Sequence, residues 1–146
     1  MKVDFYHLTT QPLDRVLPRI AERVLAGGER LLIVAGDAPA RDAIDRQLWC
    51  YTAESFMPHA QAGGARHAEQ PVLIASTPEA ANGARNVALA DGAWRDEALR
   101  FDRVFHFFDE ERIAEARAAW RELATREGVE RRYWKQKPEG GWEQAA

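Results

Sequence analysis

The chain opens on a run in which Val3, Phe5 and His7 alternate with Asp4, Tyr6 and Leu8. That is the two-residue period of a β-strand, with bulky groups in both sets. Thr9 or Thr10 then stands where a helix cap belongs, Pro12 fits a first turn, and Leu13, Val16, Leu17, Ile20 and Val24 recur at helical spacing up to Gly27 and Gly28. Pro18 lies inside that pattern, where it removes a backbone donor and crowds the preceding turn, so a kink or a later helix start is expected. After the Gly-Gly stop, "RLLIVAG" is a short apolar run and reads as a central strand buried on both faces. Asp37 can cap a second helix with Pro39 in its first turn and Ala40, Ala43, Ile44 and Leu48 as its apolar stripe.

Residues 60–71, "AQAGGARHAEQP", read as a surface loop; "PVLIAS" and "NVALA" follow as short strands around the turn-prone "TPEAANGAR". Val104–Phe108 is another buried strand. From Asp109 a long helix is expected, with Ile113, Ala116, Trp120, Leu123 and Ala124 on one stripe and a stop near Gly128, followed by a tail rich in Trp, Lys and Gly. Strands alternating with helices predict one three-layer α/β domain over 1–146 with a mostly parallel sheet, of Rossmann-like topology, with 138–146 a candidate flexible tail. Such sheets bind nucleotides at the carboxyl ends of their strands. The loop after the second strand, "VAGDAPARD", matches neither glycine-rich phosphate motif and offers Asp37 where a phosphate wants donors, so no nucleotide-binding loop is expected.

A length of 146 residues, 46% hydrophobic and 29% charged, suits one core of ordinary size. No long apolar run or export signal is present in the sequence, so a cytoplasmic protein without membrane contact is expected. Cys50 is the single cysteine, which excludes an internal disulfide and leaves no Cys/His cluster for zinc. The net charge of −3 is unevenly spread: residues 1–111 carry 12 basic against 17 acidic side chains, while 112–137 carry 8 against 4. Positive charge is therefore concentrated late.

Catalytic chemistry finds no footing. His59 and His67 lack metal-ligand spacing, His7 and His106 fall on predicted strands, and Ser55 lies in no nucleophile elbow. Nothing marks a base or oxyanion donors for Cys50, and Asp109, Glu110 and Glu111 are explained by the dipole of the helix they begin. No catalytic residue, metal or cofactor is expected.

Two aromatic clusters are harder to explain as core. In "LWCYTAESFMPH", Trp49 lies about 100° round from the buried stripe of the second helix, on the side of Asp42, Asp45 and Arg46, and should be partly exposed. Phe56 and Met57 precede Pro58, which ends any helix. Near the end of the chain, Arg117 and Arg121 flank Trp120, and "RRYWKQKPEGGWE" interleaves cations with Trp134 and Trp142. That pattern suits an acidic peptide held by one apolar anchor and several charge-assisted bonds, or single-stranded nucleic acid stacked on aromatics. A local excess of four positive charges is modest for direct DNA binding. A nucleotide-dependent enzyme on the same scaffold is the remaining alternative.

Five stretches together, "VDFYHL", "RLLIVAGD" after Gly-Gly, "LW" with "ESFMPH", "FDRVFHFFD" and "YWKQKPEGGWE", resemble the chi subunit of bacterial DNA polymerase III nearly end to end. The resemblance implies a non-catalytic adaptor in DNA replication, associated with the replisome and meeting DNA indirectly. One face of such subunits contacts the psi subunit of the clamp loader. Another takes the acidic C-terminal tail of single-stranded-DNA-binding protein. By that likeness Trp49 and Phe56 match the aromatics used toward psi and toward a repair helicase competing for the same surface. Arg117, Trp120 and Arg121 match the tail-binding stretch, and Trp142 a terminal aromatic. A lysine expected one turn before Arg117 falls at Ile113, with Arg112 as the candidate replacement. The tail's terminal phenylalanine is then expected in a pocket bordered by Trp120 and Phe107 or Phe108, with Arg117 and Arg121 on its carboxylates.

Overall fold

The computed structural model describes residues 1–50, 58–64, 67–139 and 141–146. Among these the elements run β1 (Lys2–His7), α1 (Leu13–Ala26), β2 (Leu31–Val34), α2 (Ala38–Cys50), β3 (His59–Gln61), β4 (Val72–Ala75), β5 (Asn86–Leu89), β6 (Arg103–Phe108), α3 (Ile113–Leu123), β7 (Glu130–Gln136) and β8 (Trp142–Gln144). The strands form one sheet in the order β3-β4-β2-β5-β6-β1-β7-β8, parallel throughout except for the antiparallel pair β7/β8.

Both faces of the sheet are covered, and the strand period sorts the core between them. Leu31 and Ile33 of β2, Val72 and Ile74 of β4, and Phe105 and Phe107 of β6 pack against Val16, Leu17 and Ile20 of α1 and Ile44 and Leu48 of α2. Leu32 and Val34, Leu73, Val87 and Leu89, Val104 and Phe108 face the other way, with Val3 and Phe5, onto Ala116, Ala119 and Leu123 of α3. Strands buried on both faces need no polar alternation, which is why "LLIV" and "VLIA" read as continuous apolar runs.

Several local expectations are corrected. Neither threonine caps α1: the cap is Pro12, and the backbone N–H groups of Thr9, Thr10 and Gln11 all donate to Oε1 of buried Gln136, at 2.6, 2.8 and 3.0 Å. A residue from β7 therefore closes the β1–α1 turn. The helix neither starts late nor stops at Pro18, which is buried within it and forgoes one backbone bond. Residues 60–71 are not all loop, because His59–Gln61 pairs with the edge of β4. Three residues are too few to display a period. The Trp, Lys and Gly-rich tail contains a hairpin: β7 runs beside β1, and Trp142 of β8 lies opposite Gln136.

Candidate functional site

The loop after β2 comes first, since nucleotides bind there in related architectures. The Gly36 N–H that would face a phosphate instead donates to Oδ2 of Asp91 at 2.9 Å. Asp91 also accepts from Ala93 N–H at 3.2 Å and from Arg95 through two bonds of 2.8 and 2.7 Å. Burial opposes the Asp91 charge, but the bonds from Arg95, Gly36 and Ala93 outweigh it and hold the carboxyl at about 2. The chain's own anion fills the position. Nearby, Gly92 has φ +80° and a Cβ there would stand 2.7 Å from Cγ of Arg112, so the loop needs glycine at this point. Arg112 crosses it to pair with Glu115 at 3.1 Å, and this is where the candidate replacement for the missing lysine is engaged.

The first aromatic cluster is placed by α2 and β3. Trp49 is 52% exposed, as the helix geometry predicts. Its ring lies 4.7 Å from that of His59, a buried residue of β3 with Nε2 3.1 Å from Oδ1 of Asp45. Gln61 Nε2 donates to Asp42 Oδ1 at 3.0 Å. The acidic side of α2 is thus fastened to the edge strand, and Trp49 stands beside that seam. Phe56 lies outside the described residues.

The second cluster is built by α3 and β7. Trp120 is half-buried and perpendicular to Phe5 and Tyr133, at 5.4 and 5.6 Å between centroids. The Arg131 guanidinium lies 3.9 Å over its ring and donates to the Trp120 carbonyl at 2.7 Å. Cation–π contact and hydrogen bond together fix this wall. Arg117 and Arg121 are exposed on the same helix. The Tyr133 phenol is pushed up, by burial first, with the charge of Arg117 opposing and Glu110 adding to the shift.

Not all the expected tail-binding residues come together. Phe107 and Phe108 are 1% and 2% exposed, so they form core beneath the surface and not its rim. Their side chains also diverge: Phe108 joins Phe5 and Tyr133 at 6.4 and 5.7 Å, while Phe107 stacks on Tyr6 at 5.2 Å on the α1 side. Trp142 meets Tyr6 as well, at 5.0 Å. Trp142 and Phe107 are therefore separated by the sheet from Trp120 and Arg117. Adjacent strand residues must point to opposite faces, and Trp142 of β8, opposite Gln136, lies on the α1 side with Tyr6. The same alternation divides "RRYW": Arg131 and Tyr133 border Trp120, whereas Arg132 and Trp134 both reach Asp4. Tyr133 escaped the sequence reading of the site and Arg131 entered it only as one cation of the tail, though the period of two, applied to β7, puts both beside Trp120.

Among the described residues no cluster of three or more His, Cys, Asp or Glu is arranged for a metal ion, and no helix is long and apolar enough to cross a membrane.

Comparison with known proteins follows the same lines. A family model described as "DNA polymerase III chi subunit, HolC" matches residues 1–130. The chain is also similar to DNA polymerase III subunit chi of Escherichia coli (strain K12), 29% identical over 96 residues, which cover 65% of each protein. The matched region is thus less than two thirds of that relative's length.

Proposed function

Because the chain belongs to the DNA polymerase III chi subunit family, we propose that it serves the polymerase as a non-catalytic adaptor in DNA replication. It joins the clamp loader, through psi, to the acidic C-terminal tail of single-stranded-DNA-binding protein. The observation that carries this reading is the separation of the two aromatic patches. Trp49 stands beside β3 at one edge of the sheet, and Trp120 packs near β7 at the other, on the opposite face. Six strand positions span roughly 30 Å. Two partners are held at that distance without competing.

The psi contact, and that of a helicase sharing the surface, is assigned to Trp49, because a half-exposed tryptophan set on buried His59 supplies a large rigid anchor. Trp49→Ala is expected to weaken psi binding by about tenfold or more, and to leave tail binding unchanged. Surface plasmon resonance against each partner checks this. Equal loss on both would place the defect in folding and sink the assignment.

The tail is assigned to α3 and β7, with Arg117, Arg121 and Arg131 meeting its carboxylates and Trp120 and Tyr133 walling its aromatic end. Arginine suits this through its forked donors. These arginines border solvent, so the affinity should fall severalfold between low and physiological salt, where the screening length shrinks to about 8 Å. An isotherm indifferent to salt would contradict ionic capture.

A further inference from the structure

On the α1 side of the sheet a half-open cavity of about 220 Å³ lies between the C-terminal half of α1 and strands β1, β5 and β6. Its inner surface is apolar, made by Ile20 and Val24 of α1 and the rings of Tyr6 and Phe105. Its polar groups are mostly donors. Tyr6 is 7% exposed, and its hydroxyl makes no hydrogen bond among the described residues. Arg23 likewise has no carboxylate or carbonyl partner among them. Arg103 spends Nε and Nη2 on Asp4, leaving Nη1, with its guanidinium 4.5 Å over the Phe105 ring.

The buried carboxylate that Arg103 meets is already in use. Asp4 receives Arg103, Arg132 and Trp134 through five contacts of 2.8 to 3.2 Å, which saturates a carboxylate. At the end of α1, the Arg23 and Val24 carbonyls accept from Gly27 and Glu29 N–H. Asn86 donates through Nδ2 to the Arg30 carbonyl at 3.2 Å, which leaves its Oδ1 and the Glu29 carboxylate on the rim as the cavity's own acceptors. Arg23 is exposed and Arg103 is 39% exposed, so an acceptor entering the cavity replaces water at these donors and displaces no protein partner. Charge gives the same direction. Arg23, Arg103 and Arg132 stand against Asp4 and, on the rim, Glu29, which leaves one positive charge in excess.

We propose that this cavity binds an apolar carboxylate, whose carboxyl group accepts from Tyr6, Arg23 and Arg103 while its hydrocarbon body rests on Ile20, Val24 and Phe105. A single excess positive charge matches a monoanion better than a phosphate dianion. The hydrocarbon floor gives a phosphate nothing to bury. The cavity faces away from Trp120 and Arg117, so the site is independent of the tail-binding assignment and stands or falls separately.

Titration of the full-length protein with benzoate, followed by amide NMR, tests this, with inorganic phosphate as the competing anion. Saturable shifts are expected at residues 20–27 for benzoate. Tyr6→Phe, which removes one oxygen, should weaken binding about tenfold, the worth of a hydrogen bond to a charged group. Arg23→Gln, on an exposed position, should weaken it at least as much, and Arg117→Ala should change nothing. The proposal is overturned by an absence of saturable shifts, by Tyr6→Phe binding as tightly as the parent, or by phosphate binding as tightly as benzoate.

Discussion

Replacing Asp4 by alanine is expected to cost about 3–5 kcal/mol of folding stability, the range for removing one partner from a buried ion pair. The carboxylate is fully buried in the middle of β1 and is the shared acceptor for side chains from both neighbouring strands. Arg132 is its direct register partner on β7, and Trp134 lies two residues further along. Arg103 approaches from β6, one same-face step behind. Without Asp4, two guanidinium groups and the indole N–H converge on a hydrocarbon-sized gap. The arginines are 39% and 28% exposed at their side chains, so they recover part of the loss by turning to solvent. The indole is less free to do so. Asp4→Asn, which keeps one acceptor oxygen, should cost clearly less than Asp4→Ala. Urea denaturation of the two variants checks both size and order, and a loss below about 1 kcal/mol, the level of an exposed pair, would show that the cluster does not hold β1 between its neighbours.

The second large effect is an acid-induced loss of stability centred on His106. Its ring is fully buried, edge-on to Phe5 and Trp94 at 5.4 and 5.3 Å, and neither nitrogen has a hydrogen-bond partner among the described residues. Burial pushes its pKa down from the ordinary 6.5 to about 3, with Asp91 opposing that shift and Arg95 adding to it. Between those two values the unfolded chain takes up a proton that the folded chain refuses, so stability is complete above pH 6.5 and falls as the pH is lowered. At pH 5 the loss is about 2 kcal/mol. Asp91 extends the decline: its carboxyl, held at about 2 against an ordinary 3.8, loses its contribution as the pH drops below 4. Phenylalanine or leucine at position 106 should flatten the profile between pH 6.5 and 4. A variant whose melting temperature follows the parent's across that range would show that another group sets the acid limit.

The parallel sheet was legible because β2 and β4 are unbroken apolar runs, one leading to Gly36 and the other preceded by Pro71, and because α1 and α3 keep one apolar stripe each. What escaped notice depends on pairing. The strand β3 exists only because β4 leaves an edge open to it, and β7 carries no clean alternation because its positions at 131–134 pair arginines and aromatics across both faces. The charge of Asp4 inside a central strand was the available signal, since a buried carboxylate demands cations on the adjacent strands, and "RRYW" supplies one. For the candidate site, helix geometry located Trp49 correctly, because exposure around a helix follows from its own period. The tail-binding set mixed two faces. Phe108 shares the Trp120 face, whereas the alternation along β6 turns Phe107 to the α1 side, where Trp142, opposite Gln136, also lies. Arg131 and Tyr133, which border Trp120, were hidden in the same stretch.

The adaptor account is tested most directly by titrating the purified protein with a peptide ending in an acidic, phenylalanine-terminated tail, at low and raised salt, alongside Arg117→Ala and Trp49→Ala. Binding that weakens with salt, is lost in Arg117→Ala and survives in Trp49→Ala is the expected result, and it fixes the tail on α3, away from Trp49. No binding under any condition, or equal binding by the Arg117 variant, would contradict the account.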